Sequence, residues 1–455
     1  MKHFNKYLLL LWLILPGCKK FLDAKPERSL TTINTLTDLQ SLLDRSDYVN
    51  TNTVSSDLVS CDDYYLTNTD FLALDFVQAR NMYTWEPSDL YYPYTDLAND
   101  WTNVYKSVYL ANIVLDHIGK IERSSQNSRT WDDLKGQAHF LRAYNFYKAI
   151  TIWAPAYDAS TSQGDLGIPL RLNSNFNETS VRSNIAAGYD QIFNDLRSSL
   201  PLLETTPKHV YRGSKAAAYA LLSEVSLAMR NYTQARLYAD SCLQINSKLV
   251  DYNKINGTPT YPMTRFNDEV IYDTAVGGSG SIPTTRSRAR IDSNLIKMYH
   301  VDDLRTTLFF SAGTDGSKLF RGSYEGSSSR FNGLATDMTL LTRAECAARA
   351  GETAVALSDL NRLLQNRFKT GTFTPVNASS AGEALAKILT ERRKELVMRG
   401  SRWIDIKRLN KDGSGITLKR DINGKVFTLP PNDLRYALAI PEDVIALSGM
   451  PQNPR

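Results

Sequence analysis

Two neighbouring stretches, Lys215 to Met229 and Thr233 to Ile245, set large and small apolar residues at three- and four-residue steps, with Tyr219, Leu222, Ser223, Ala235, Ala239 and Cys242 at the recurring positions. Only two amphipathic helices that cross closely bury such a pattern, because the small side chains let the backbones approach while the large ones fill the flanks. The theme returns in Leu340 to Arg349 and Thr353 to Leu364, where Gly351 makes the turn and Ala356 the close contact. Trp101, Val104, Tyr105, Val108, Ala111, Asn112 and Leu115 predict one further helix, and Leu134, Ala138, Leu141, Tyr144 and Tyr147 its antiparallel partner. Shorter helices are expected over Thr37 to Leu43, Phe71 to Arg80, around Tyr189 to Leu196, and over Ile388 to Met398 with Gly400 closing it.

The crossing pattern is that of a tetratricopeptide repeat, but Ala235 and Ala356 lie far more than one repeat of about 34 residues apart, so the units are not in tandem. Between them, roughly 251–332, the chain becomes rich in Gly, Ser, Thr, Tyr and Arg, with Gly277 to Ser281 as a breaker cluster. The expected fold is therefore dominated by α-helix: a TPR-like α-α superhelix of helix pairs carrying a loop-rich, ligand-binding insertion with short strands. The expected parts are 36–250, a helical N-terminal part, and 251–455, a C-terminal part holding the insertion and ending in an irregular, Pro-rich tail from Val426.

Ahead of these parts, Lys2 and Lys6 precede an apolar run, Tyr7 to Leu15, followed at once by Leu15-Pro16-Gly17-Cys18. The run is far shorter than the ~20 apolar residues of a bilayer-spanning helix, and it has the layout of a secretory signal. Residues 1–17 are thus expected to be a signal peptide, Cys18 the site of lipidation, and 18–35 a lipidated tether. The net charge of +5, with basic residues scattered along the chain, gives no reason to expect nucleic acid. Setting Cys18 aside leaves Cys61, Cys242 and Cys346, an odd and widely spaced set that predicts no disulfide framework, and the apolar helical stretches around Cys242 and Cys346 predict buried free thiols there.

A recognition surface for sugars needs flat aromatic faces beside planar or charged polar groups. Trp85, with Tyr83, Tyr91, Tyr92 and the nearby Tyr94, flanked by Arg80, Asn81 and Asp89, supplies both within one expected loop, and this is the candidate ligand-binding site. Asp62, Asp63, Tyr64 and Tyr65 form a second polar cluster, expected to be solvated. Arg286, Arg288 and Arg290 would share one face if extended. Glu391, Arg392, Glu395, Arg402, Trp403, Asp405 and Arg408 resemble an acid–base site, yet carboxylates alternating with cations favour ion pairs, and a structural lock is expected. There is no G-x-S-x-G elbow, P-loop, H-E-x-x-H or C-x-x-C, so neither catalysis, nor a metal, nor a cofactor is expected.

Several phrases together resemble the SusD/RagB family of outer-membrane nutrient-uptake lipoproteins: Cys18-Lys19-Lys20-Phe21-Leu22-Asp23 with Pro26, Trp101 to Asn112, Gly136 to Tyr144, and Gly167-Ile168-Pro169-Leu170. Arg212 to Leu227, Glu391 to Arg408, and Ala439-Ile440-Pro441 running into Gln452-Asn453-Pro454 continue the series, which spans nearly the whole chain in order. The ending departs from the family, which has Gly-Tyr after Asn-Pro where this chain has Arg455. The resemblance implies a scaffold of helix pairs, capture of a glycan or peptide without chemistry on it, attachment to the cell outer membrane through lipid, and delivery to a TonB-dependent, SusC-like channel. A repeat scaffold that binds only protein, and a tethered glycoside hydrolase, are the alternatives.

Overall fold

The computed structural model of the chain describes residues 33–455 except 94, 97 and 277–282. The signal segment 1–17, Cys18, the tether as far as residue 32, Tyr94 and the Gly277 to Ser281 cluster lie outside the described residues.

Helices dominate, and they pair as the apolar spacing requires. After α1 (Leu36–Leu43), α2 (Asp100–Ile118) begins at Asn99, whose side chain accepts from the Thr102 amide at 3.0 Å while the Thr102 hydroxyl accepts from the Asn99 amide at 2.9 Å. It forms a hairpin with α3 (Ser128–Trp153), and α3 packs its other side on α4 (Ile185–Ser199). With neighbours on both sides, α3 is buried almost all round from Gln137 to Trp153, which is why its apolar residues exceed a single stripe. The next pair is α5 (Lys215–Ala228) and α6 (Tyr232–Ile245), and the last is α7 (Thr336–Arg349) and α8 (Thr353–Gln365). Although the insertion separates these pairs in sequence, α6 packs directly on α7, so the superhelix is continuous across residue 250. Then α9 (Ala381–Glu395) lies on α7, and α10 (Arg402–Lys411) meets α5.

The insertion is built of short strands, as its composition predicts. Antiparallel β1 (Tyr64–Tyr65), β6 (Arg290–Ile291), β8 (Lys318–Phe320) and β7 (Phe310–Ala312) form one sheet in that order, stitching the N-terminal segment to the insertion. Two-stranded ladders join β4 (Val270–Tyr272) to β10 (Leu334–Ala335) and β5 (Ala275–Val276) to β9 (Arg330–Phe331). Outside the insertion, β2 (Leu166–Pro169) pairs with β3 (Arg182–Asn184), holding the two ends of the 170–181 loop together. Gly167 permits this pairing, since a Cβ there would lie 2.6 Å from the Asn184 carbonyl oxygen.

Four expectations are corrected. The tail is not irregular: β11 (Leu418–Ile422) and β12 (Lys425–Leu429) make a hairpin, and a helix follows over Glu442–Ser448, ended by Gly449 at φ 68°. Asp62 is not solvated, because Arg402 grips it at 2.7 and 2.9 Å, while buried Asp63 accepts from the Met398 amide at 2.9 Å. The three insertion arginines share no open face: Arg290 pairs with Asp70 and Asp315, and Arg286 lies over the Tyr261 ring. The helix expected over Ile388 to Met398 runs instead over Ala381–Glu395. The Cys61, Cys242 and Cys346 thiols are free and buried.

Candidate functional site

The structure consumes most of the aromatic loop internally. Trp85 is 2% exposed, and its indole N–H donates to the Ser60 carbonyl at 2.9 Å. The Arg420 guanidinium covers the Tyr83 ring at 3.6 Å and the Trp85 ring at 4.7 Å, and the Tyr83 hydroxyl accepts from the Leu66 amide. Tyr91 is also buried, sharing a 2.8 Å hydrogen bond with Ser56. A ring buried on both faces offers nothing for a sugar to stack on, so Trp85, Tyr83 and Tyr91 are corrected from a stacking platform to the packing that pins this corner to the helices. The flanking polar residues are similarly committed: Arg80 donates to the Leu74 carbonyl, and Asn81 Nδ2 donates to the Asp89 carbonyl at 3.0 Å. Tyr92 is half-buried, edge-on to Phe76 with ring centroids 4.4 Å apart.

What the loop does is position its neighbours. The Tyr92 carbonyl accepts from Asn99 Nδ2 at 2.9 Å, fixing the start of α2, and the Asp89 amide donates to Glu442 at 2.7 Å, fixing the C-terminal helix. Between those two helices and the 170–181 loop runs a groove of about 310 Å³. Its floor is a line of aromatics one helical turn apart on α2: Trp101, Tyr105 and Tyr109. Trp101 stands edge-on to Trp153 at 4.9 Å and lies 4.7 Å from Tyr105, whose hydroxyl donates to the Pro169 carbonyl at 2.9 Å. At the open end the Phe176 ring leans on Tyr109, centroids 4.5 Å apart, and is 77% exposed. Val444, Ser448 and Met450 make the facing wall.

The loop that carries Phe176 is braced, not loose. Buried Asn112 donates to the Arg171 and Asn173 carbonyls at 2.9 and 3.0 Å, and its own oxygen accepts from Arg142. Asp116 on α2 takes both the amide and hydroxyl of Ser174, at 2.8 and 2.7 Å. Arg171 donates to the Asn175 and Glu178 carbonyls, and Asn173 Nδ2 to the Glu178 carboxylate at 2.7 Å. The groove thus presents an exposed aromatic face beside Asn175, Glu178 and Ser180, with its geometry set before any ligand arrives. Reading α2 from sequence as a core helix misses this site. The available signal is Tyr109, an aromatic off the apolar stripe of that helix.

The acid–base-like cluster is an ion-pair lattice. Arg392 bonds Glu224 and Asp405, each at 2.9 Å, and Arg408 bonds Glu345 at 2.6 and 2.8 Å. Glu391 and Glu395 both engage Arg305, at 2.7 and 2.8 Å. Glu269, Asp337 and Glu395 converge closely enough to hold a metal ion, but Arg367 already bridges Glu269 and Glu395 and Arg399 pairs with Asp337, so guanidinium groups supply the positive charge there.

Comparison with known proteins gives one consistent answer. A profile described as SusD family matches residues 151–433, and another, described as starch-binding associating with outer membrane, matches 20–227. No curated protein sequence matches the chain. Among solved structures, a SusD superfamily protein from Bacteroides thetaiotaomicron VPI-5482 is 20% identical with a TM-score of 0.74, covering 92% of this chain and 100% of the other. A SusD-like carbohydrate binding protein from Bacteroides vulgatus ATCC 8482 is 17% identical, TM-score 0.65, over 91% of this chain and 96% of its own. A laminarin binding SusD-like protein has the same identity of 17% and TM-score of 0.65, over 91% and 97%. At these identities the likeness concerns the fold.

Proposed function

This chain belongs to the SusD family, and from that premise we propose that it is a lipid-anchored outer-membrane protein that captures glycan oligomers in the groove along α2 and passes them to a SusC-like, TonB-dependent channel. The observation that carries the reading is Phe176, a large ring left in solvent at the tip of a fully braced loop, continuing the aromatic line of Tyr109, Tyr105 and Trp101. With only its contact to Tyr109 to pack against, the ring leaves most of its surface in water, which costs solubility but suits the apolar face of a pyranose, with Asn175, Glu178 and Ser180 beside it for hydroxyls. Capture requires no bond to be made or broken in the ligand. The names of the family profile and of the carbohydrate- and laminarin-binding relatives agree with a sugar. Anchoring through Cys18 agrees with the charged and apolar start of the chain, and no helix among the described residues is long and apolar enough to cross a membrane.

Replacing Phe176 by alanine is expected to weaken the bound glycan by about 2 kcal/mol, roughly 30-fold in Kd, as for a central stacking residue. Because the ring is exposed, the thermal midpoint should not move. Calorimetry with the glycan selected from a soluble polysaccharide panel checks both. Unchanged affinity would remove the groove from the account, and binding of peptides alone would replace glycan by peptide as the cargo.

The protein-only scaffold finds its best surface in the cleft of about 1080 Å³ between α6 and the α7–α8 hairpin. Its charges are closed on one another, Arg343 on Asp240 and Asp359 and Arg236 on Glu352, so it offers few free groups to a partner.

A further inference from the structure

A separate cavity of about 220 Å³ opens where the end of α3 meets α10 and the 430–437 segment, lined by Pro155, Thr161, Lys407, Lys411, Asn432 and Tyr436 among others. Lys407 is 2% exposed, and its Nζ donates to the Thr151 and Ala154 carbonyls at 2.8 and 2.6 Å, the open acceptors at the end of α3. An ammonium has three protons, and among the described residues no third acceptor and no carboxylate reaches this one. Burial without a countercharge pushes its pKa down to about 7. On the same wall the Tyr436 hydroxyl is buried beside the Asn410 side chain.

The other charges at the cavity are engaged. Lys411 reaches Asp158 at 3.3 Å, Asp433 is gripped by Arg435 at 2.9 Å through both oxygens, and Asp165 accepts the Thr161 hydroxyl at 2.6 Å. Lys407 is therefore the buried cation of this cavity, with no carboxylate bonded to it among the described residues, and Asp165 at the rim keeps its negative charge because its partner is a neutral hydroxyl.

We propose that the cavity is an oxyanion site: a carboxylate- or sulfate-like group entering past Asn432 and Leu434 accepts hydrogen bonds from Lys407 and Tyr436 and supplies the countercharge. The site is independent of the α2 groove and stands whether or not that groove binds glycan. The same chemistry is offered by a free anion and by the carboxylate of an acidic sugar.

Sulfate, acetate and glucuronate titrated into the protein by calorimetry, at pH 6 and pH 8 and in buffers of different ionisation enthalpy, test this. An anion favours the charged amine, so binding at pH 8 should take up nearly one proton, and affinity should fall about tenfold per pH unit above 7. Lys407→Met should abolish binding. Leu434→Trp, at a rim position 53% exposed, should block entry with folding intact, which keeps the test decisive if the lysine variant fails to fold. Glucuronate binding tighter than acetate would identify an acidic sugar, and equal binding a free anion. No saturable binding at pH 6, no proton uptake at pH 8, or binding indifferent to both substitutions would overturn the proposal.

Discussion

Trp85→Ala is expected to cost about 3–5 kcal/mol of stability, the range for removing a large buried aromatic. The substitution opens a cavity in the core, leaves the Ser60 carbonyl without its donor, and strips Arg420 of one of its aromatic faces. Denaturant or calorimetric unfolding should show a large drop in midpoint, while the folded fraction keeps its glycan affinity because the ring does not reach the α2 groove surface. A stable variant that had lost glycan affinity would instead place the ligand on the 80–92 loop.

That expectation reverses the reading of this loop from sequence, and the reason is physical. A cluster of Trp and Tyr between polar residues looks the same whether it pins a loop or displays a platform. What distinguishes the two is Arg420, 335 residues from Trp85 and placed over its ring by a β-hairpin that the Pro-rich tail conceals. The helix pairs were legible because their contacts are local and periodic, as with α5 on α6. That α6 also stacks on α7 was not, since the insertion breaks the repeat. Tyr92 and Asp89, read from sequence as candidate ligand contacts, hold the two helices that wall the α2 groove, and the open rings of that groove are Tyr109 and Phe176. Phe176 sits in a polar run, Asn173 to Glu178, where a single aromatic carries little pattern.

Arg367→Met is the other substitution with a large expected effect. Arg367 is fully buried, bonds Glu395 at 2.8 Å and Glu269 at 2.9 and 3.0 Å, and caps the Val250 carbonyl at 2.9 Å. Removing it strands buried Glu269 without a cation and leaves Glu395 with Arg305 alone, a loss of about 3–5 kcal/mol for breaking a buried ion pair from one side. The deficit should depend on pH. Burial already pushes Glu269 up to about 7, with Arg367 pulling the other way, so the variant holds this proton still more tightly. A folded-state pKa above the unfolded value gives stability that is present at low pH and lost as pH rises through it. Below about pH 6 Glu269 is protonated in both proteins and this part of the deficit is small; above pH 7 it widens. Unfolding at pH 5 and pH 8 checks the sign, and a deficit that shrinks on going to pH 8 would show that Glu269 does not depend on Arg367. The sequence did mark charge pairing in this region, but as pairs along one helix. The structure instead joins Arg392 to Glu224 on α5, Arg408 to Glu345 on α7, and Glu395 to Arg305 and Arg367.

Hydrogen exchange read by mass spectrometry, with and without the selected oligosaccharide, tests glycan capture along α2 most directly. Slowed exchange confined to the 171–180 loop and the adjoining turns of α2 and the 442–450 segment is the predicted result. Protection that spares these segments and appears at the 80–92 loop or in the insertion would contradict the account.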